Sequence, residues 1–323
     1  MAGPDEFAWI DRLRSLTAHT PGALGLMDDA AVIPSRPRHD LVISKDALVE
    51  GVHFLPGEAR DVVARRLLRT NLSDLAAKGA QPFGYLLMTA WPHGHGEQEE
   101  IDFVQGLAQD AAIFGMDLLG GDTVFTHGPL TVSATVLGWV KSNTMIKRSG
   151  AMPGDLLMVT GAIGDGYLGL KAARGEIADA DGALQARYRL PHPRLELRQA
   201  LLTCTAAAAD VSDGLLADAL HLADASGCEV VVELERLPLS AQGQIWLACQ
   251  EADLSARLAL ASGGDDYEIV CAVRPDKAVK FGALCAQAGV AATMIGRFQT
   301  GSGIRITDHG MHTAVADLGW RHR

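Results

Sequence analysis

The sequence has 323 residues, 48% hydrophobic and 21% charged, which supplies apolar surface for one large core or two ordinary ones. No run approaches 18 uninterrupted apolar residues, so a membrane-spanning helix is not expected. With 28 basic against 39 acidic residues the formal charge is −11, which argues against a nucleic-acid partner, because that binding replaces counterions with clustered Lys and Arg.

Hydrophobic spacing predicts the elements in chain order. The first residues, MAGPDEFAWIDRLRSL, carry early acids and no apolar h-region, so no signal peptide is expected, and a helix fits residues 6–16. DLVISKDALV fits a short strand. DVVARRLLRTNLSDLAAKGAQP places apolar residues at 63, 64, 67, 68, 72, 75 and 76, a helical period that Gly79 and Pro82 should end. YLLMTAW reads as a strand, residues 97–114 as a helix, MDLLGGDT as a short strand into a Gly-rich turn, and LTVSATVLGWV as the longest β-like run. KRSGAMPGD has two Gly and a Pro in nine residues, which puts a domain boundary within residues 141–154.

Beyond it come a strand (DLLMVTG), a helix over residues 164–174, a polar acidic connection at 178–182 and a helix after Pro193. The helix in DVSDGLLADALHLADASG can be capped by Ser212 or Asp213 and ended by Gly227. CEVVVEL, YEIVCAV, ATMIGRF and GIRIT read as strands with helices between them. The mixture predicts an α+β (mixed α/β) fold in two domains, residues 1–144 and 145–323, without internal repeats. Five cysteines (Cys204, Cys228, Cys249, Cys271 and Cys285) show no CxxC spacing, which predicts buried free thiols in a reducing, cytoplasmic compartment.

Aspartates recur in small-residue turns at the ends of these elements. Asp28 and Asp29 in GLMDDAAVIP lie among apolar neighbours, where a carboxylate is expected to need a partner. Asp46, Asp74, Asp122, Asp210, Asp213, Asp265 and Asp266 sit in similar settings. Taken singly, each is a turn former or helix cap. As a set they repel unless cations lie among them, and oxygen donors select Mg²⁺ or Ca²⁺. Mg²⁺ combines one or two carboxylates with substrate phosphates, so the pattern predicts a site with several Mg²⁺ ions that receives phosphate groups.

Other motifs carry less. There is no GxxxxGK[ST]. Gly164, Gly166 and Gly169 match GxGxxG after a strand, but no second strand ending in an acid follows, so a tight strand-to-helix turn is expected. HGHG at residues 93–96 reads as a solvent loop. His53 and His192 lack a nucleophile context.

The words GLMDDAAV, SKDALVEGVHFLP, NLSDLAAKGAQP, LLGGDT, KRSGAMPGD, VTGAIGD, DVSDGL and SGGDDYE, in this order, resemble the thiamine-monophosphate kinases over residues 7–320. That family belongs to the superfamily of aminoimidazole ribonucleotide synthetase, selenophosphate synthetase and a hydrogenase maturation factor. The resemblance implies direct ATP-dependent phosphorylation of thiamine monophosphate to thiamine diphosphate, without a phosphoenzyme. It also implies a homodimer whose N-terminal domains build a shared β-barrel, beside a C-terminal α/β domain. By resemblance, Asp28, Asp29, Ser44, Asp46, Asp74, Asp122, Asp210 and Asp213 hold Mg²⁺. Lys45 stands among them with an ammonium that cannot ligate a metal: either its backbone carbonyl serves and the site survives, or that metal position is altered and Lys45 neutralises phosphate charge. Gly121, Asp122, Arg148 and Ser212 contact ATP; His53, Asp265 and Trp320 contact the thiamine substrate, Trp320 with its aromatic face under the cationic thiazolium.

Two positions depart from the family: Met27 stands where Gly is common, and Lys45 where Thr is common. Selenophosphate synthetase needs a reactive Cys near its start, and no Cys precedes Cys204; the maturation factor ends in Cys, whereas these residues end WRHR. A substrate assay separates aminoimidazole ribonucleotide synthetase. A non-catalytic nucleotide-binding homologue would not need so many carboxylates, and a cation buffer would bind metal without nucleotide.

Overall fold

The computed structural model describes residues 6–17, 20–251, 253–315 and 317–320; the MAGPD start and the last three residues of WRHR lie outside the described residues. The chain divides into two compact units, Met1–Leu75 with Ala80–Asn143, and Ala76–Gly79 with Thr144–Arg323.

In the first unit, α1 (Glu6–Leu13) is followed by two 3₁₀ turns, so the expected helix is shorter than its apolar pattern. Strands β1 (His39–Val49), β2 (Gln81–Pro92), β3 (Asp117–Thr126) and β4 (Thr131–Lys141) form one sheet in the order β1-β4-β2-β3. β4 runs antiparallel to β1 and β2, whereas β2 and β3 are parallel and joined by α3 (Glu97–Phe114), the crossover that parallel neighbours require. The Gly-rich turn expected after MDLL is absent. β3 continues through Gly120, Gly121 and Asp122, which pair with Leu86, Leu87 and Met88. A Cβ on Gly121 would stand 1.8 Å from the Leu87 carbonyl oxygen, so glycine here permits close strand approach instead of breaking the strand.

Helix α2 (Arg60–Ala77) buries Leu67, Leu68, Leu72 and Leu75 and stops before Gly79, whose φ is +66°. Its Arg69 and Arg65 converge on the buried Asp110 of α3 at 2.5 and 3.1 Å. Pro82 does not end the helix. It lies in β2, where the β4 register shifts and β3 has not yet joined. Trp9 packs edge-on against Trp91 at 5.5 Å and donates Nε1–H to Thr123 Oγ1 at 2.8 Å. His95 of HGHG is not in a solvent loop. It is buried between the Pro92 carbonyl and Glu100 and stacks on Trp91 at 4.6 Å.

The second unit carries a seven-stranded sheet in the order β11-β10-β7-β9-β5-β8-β6. Its strands are β5 (Leu156–Thr160), β6 (Thr205–Asp210), β7 (Glu229–Glu233), β8 (Ile269–Val273), β9 (Ala292–Gln299), β10 (Gly303–Asp308) and β11 (Met311–Thr313). Only β7 and β10 pair in parallel. β8 shows why IVCAV is apolar throughout: Ile269, Cys271 and Val273 enter one core, and Val270 and Ala272 the other. Helices α4 (Asp165–Ala173), α5 (Ala183–Arg189), α6 (Arg198–Cys204), α7 (Leu215–Ser226), α8 (Ala241–Ala248), α9 (Asp253–Ser262) and α10 (Ala278–Gln287) complete the unit. The N-cap of α7 is Gly214 at φ +123°, without a side-chain cap; neither Ser212 nor Asp213 fills that role. Gly227 ends the helix in the left-handed conformation, as its position predicts. Cys204, Cys228, Cys271 and Cys285 are buried free thiols and Cys249 is exposed; burial pushes the Cys285 thiol up to about 11. No helix among the described residues is long and apolar enough to cross a membrane.

Candidate active site

In the first unit, strand alternation sends Ser44 and Lys45 to opposite faces of β1. Ser44 Oγ donates to Asp74 Oδ2 at 2.5 Å, and the Asp46 N–H donates to Asn71 Oδ1 at 2.8 Å. Asn71 and Asp74, three residues apart on α2, therefore face the end of β1 together. Lys45 reaches the other way, donating to Ser133 Oγ of β4 at 2.9 Å, while Ser133 donates to the Asp46 carbonyl at 2.8 Å. His53 Nδ1 accepts the Val49 N–H at 3.0 Å, so a neutral ring carries its proton on Nε2.

The Asp28–Asp29 pair differs from the expectation. Both carboxylates are exposed, as are Met27 and Ala30, so no buried partner is required. The left-handed turn falls on Leu24, Gly25 and Leu26 (φ 50°, 65° and 55°), while Met27 has φ −106° and does not need to be glycine. Asp122 is exposed on β3 and accepts the Thr123 N–H at 2.9 Å.

In the second unit, β6 ends at the buried Asp210, and residues 211–212 run beside 265–268. Val211 donates to the Glu268 carbonyl at 2.8 Å and accepts from Tyr267 N–H at 2.8 Å, and Asp265 N–H donates to the Ser212 carbonyl at 2.9 Å. Asp218 Oδ2 accepts the N–H groups of Ser212 and Asp213 at 3.1 and 3.2 Å. Ligand atoms of Asp213, Asp218 and His221 lie within 4.8 Å of one another. Burial, then the charges of Asp210 and Asp213, push Asp218 well above the usual carboxylate range, against the opposing guanidinium of Arg148. The Trp320 N–H donates to the Asp213 carbonyl at 2.8 Å and leaves the indole 56% exposed beside this cluster. Asp265 is half-buried at φ +69°, and its Oδ1 accepts from the Tyr267 hydroxyl at 3.2 Å.

The GxGxxG match is a strand-to-helix turn, as expected, and the occupant of its helix end belongs to the chain. Gly164 and Gly166 donate their N–H groups to Asp266 Oδ2 and Oδ1 at 2.8 and 2.9 Å. Burial raises the Asp266 carboxyl to about 8.

The sequence matches the family described as AIR synthase related protein, its N-terminal domain over residues 27–140 and its C-terminal domain over 152–309. The thiamine-monophosphate kinase of Caulobacter vibrioides is 58% identical over 322 residues, covering 99% of this chain and 92% of that protein. This chain belongs to the thiamine-monophosphate kinase family. A solved family member from Stenotrophomonas maltophilia K279a is 33% identical with a TM-score of 0.83, covering 94% of this chain and 97% of that one. A complex described as AaThiL complexed with AMPPCP and TMP is 26% identical with a TM-score of 0.78, covering 98% of this chain and 97% of its own.

Within this kinase-family fold, the structure gathers Ser44 with Asp74, and Arg148, Asp210, Ser212, Asp213 and Trp320 around the end of β6. Asp218 and His221 of that cluster, and the anchoring role of Asp266, were not read from the sequence. For Asp218 a signal existed: it falls inside the apolar stripe of Leu215, Ala219 and Leu222, where a solvated acid does not belong.

Proposed function

We propose that this chain transfers the γ-phosphoryl group of ATP to thiamine monophosphate, giving thiamine diphosphate and ADP, the last step of thiamine diphosphate biosynthesis, in the cytoplasm. The observation that carries this reading is near-full-length identity of 58% with a thiamine-monophosphate kinase, in a chain whose Asp210, Asp213 and Asp218 gather past the end of β6. The neighbour complexed with AMPPCP and TMP supports the same substrates.

The donor chemistry fits Mg²⁺. The groups are hard oxygen donors, and Asp218 is pushed upward by its burial first and then by the charges of Asp210 and Asp213 beside it. Asp28, Asp29, Ser44, the Lys45 carbonyl, Asp46, Asp74 and Asp122 of the first unit, and Asp210 and Asp213 of the second, would hold the ions. Bound Mg²⁺ supplies screening between anionic phosphates and stabilises charge on the transferring group. Gly121 and Asp122 contact ATP from β3; the Arg148 fork suits its phosphates, and Ser212 meets it from the end of β6. His53, with its proton on Nε2, donates toward the acceptor phosphate, Asp265 contacts the thiamine substrate, and the exposed Trp320 ring stacks on the thiazolium. The acceptor phosphate has its second pKa at about 6 and is ionised near neutrality, so no general base and no enzyme nucleophile are needed. Residues 1–144 serve as the ATP- and Mg²⁺-binding and dimerisation domain, with the barrel shared in a homodimer, and residues 145–323 as the C-terminal domain.

ADP release from the purified protein with ATP and Mg²⁺ tests this. Release is expected with thiamine monophosphate, not with thiamine or formylglycinamidine ribonucleotide, and EDTA should abolish it. Turnover of the ribonucleotide in place of thiamine monophosphate would move the protein to another branch of the superfamily.

A further inference from the structure

The segment SGGDDYE turns twice about a single anchored residue. Asp265 and Tyr267 both have left-handed backbones, φ +69° and +50°, which neither side chain favours. Between them Asp266 is completely buried, and each of its carboxylate oxygens takes one N–H from the first turn of α4, at 2.8 Å from Gly164 and 2.9 Å from Gly166. The Asp266 carbonyl accepts from Arg187 Nη2 at 2.9 Å. Side chain and backbone of Asp266 are thus both held, and the residue cannot itself meet a ligand. Its neighbour can: Asp265 is half-buried, tied through its N–H to the Ser212 carbonyl at 2.9 Å and through Oδ1 to the Tyr267 hydroxyl at 3.2 Å. The contact behind it is tight, because a Cβ on Gly166 would stand 2.3 Å from the Asp265 carbonyl oxygen.

We propose that Asp266 is a positioning residue: by filling the N-terminus of α4 it holds Asp265 in its left-handed conformation and fixes that carboxylate for the thiamine substrate. The inference rests on the kinase reading above and deepens it. It gives the GAIGDG turn a task without a nucleotide: the helix end receives an internal carboxylate where related-looking loops receive a phosphate. Asp266 therefore acts on the acceptor side of the reaction and not on ATP.

Steady-state kinetics of wild type, Asp266→Asn, Asp266→Ala, Gly166→Ala and Gly296→Ala test it. Asn keeps one acceptor oxygen and Ala none. Gly166→Ala keeps the Asp266 side chain and displaces Asp265 from behind. Gly296→Ala is the packing control, since its Cβ would meet the Val231 carbonyl at 1.9 Å, between β9 and β7. We expect KM for thiamine monophosphate to rise about tenfold or more in Asp266→Ala and Gly166→Ala, and less in Asp266→Asn, with KM for ATP within about twofold of wild type. Gly296→Ala should lower the melting temperature and leave both KM values in place. Should Asp266→Ala fail to fold, Asp266→Asn and Gly166→Ala carry the test. Unmoved KM for thiamine monophosphate in those two, or a rise shared by ATP or by Gly296→Ala, overturns the positioning role while wild-type turnover keeps the kinase reading. A wild type silent toward thiamine monophosphate overturns both.

Discussion

Neighbouring acids in this chain have opposite fates, decided by which way the backbone turns them. Asp265 is held outward and Asp266 inward, while Asp28 and Asp29 both face solvent despite apolar neighbours in sequence. Burial costs Asp266 more than its two N–H donors and Arg187 return, so its carboxyl is raised from 3.8 to about 8. The unfolded chain releases that proton near pH 4, whereas the folded chain keeps it until near pH 8. Between those values the folded state binds more protons, and stability falls as pH rises. In metal-free buffer the melting temperature should decline from pH 5 to 8, and Asp266→Asn should flatten the decline; equal slopes in the two proteins would contradict the assignment. At this scale the sequence showed which residues are acidic but not which are buried. A doubled Asp leaves open which member faces the core, and that choice follows from the left-handed backbone at Asp265 and Tyr267, which sequence spacing does not reveal.

Most elements were legible in the hydrophobic period, and α3 begins and ends where its pattern does. Two of the errors concern glycine that serves close approach: Gly121 was read as part of a turn, and Ser212 or Asp213 was read as the cap where Gly214 stands. Gly121 continues β3, and Gly214 starts α7 in place of a side-chain cap because its position admits no Cβ, with the Ser262 carbonyl 2.5 Å away. Helix α5 went unread because only Leu184 and Tyr188, one turn apart, mark its buried face. Gly121→Ala should therefore cost about 3 kcal/mol or more, since the new methyl meets backbone that cannot yield without parting β2 from β3. Urea denaturation monitored by circular dichroism measures this; a midpoint close to wild type would show that the strands separate without cost.

At the scale of the molecule, the ordered set of short words was more informative than any one of them. The words fall in strands, helix ends and loops alike, as LLGGDT inside β3 and NLSDLAA at the end of α2 show, and only the chain-long order separates a kinase site from a collection of turns. The Lys45 departure is absorbed by strand alternation, which turns the ammonium to Ser133 and leaves Ser44 with Asp74. The reaction proposed for this chain is direct phosphoryl transfer from ATP to thiamine monophosphate, without a phosphoenzyme. The measurement that tests it most directly is a single turnover with γ-labelled ATP, quenched and separated into protein, nucleotide, inorganic phosphate and thiamine fractions. The account predicts that the label passes from ATP into thiamine diphosphate while the protein stays unlabelled throughout. Label accumulating on the protein, or released as inorganic phosphate with no labelled thiamine diphosphate, would contradict it.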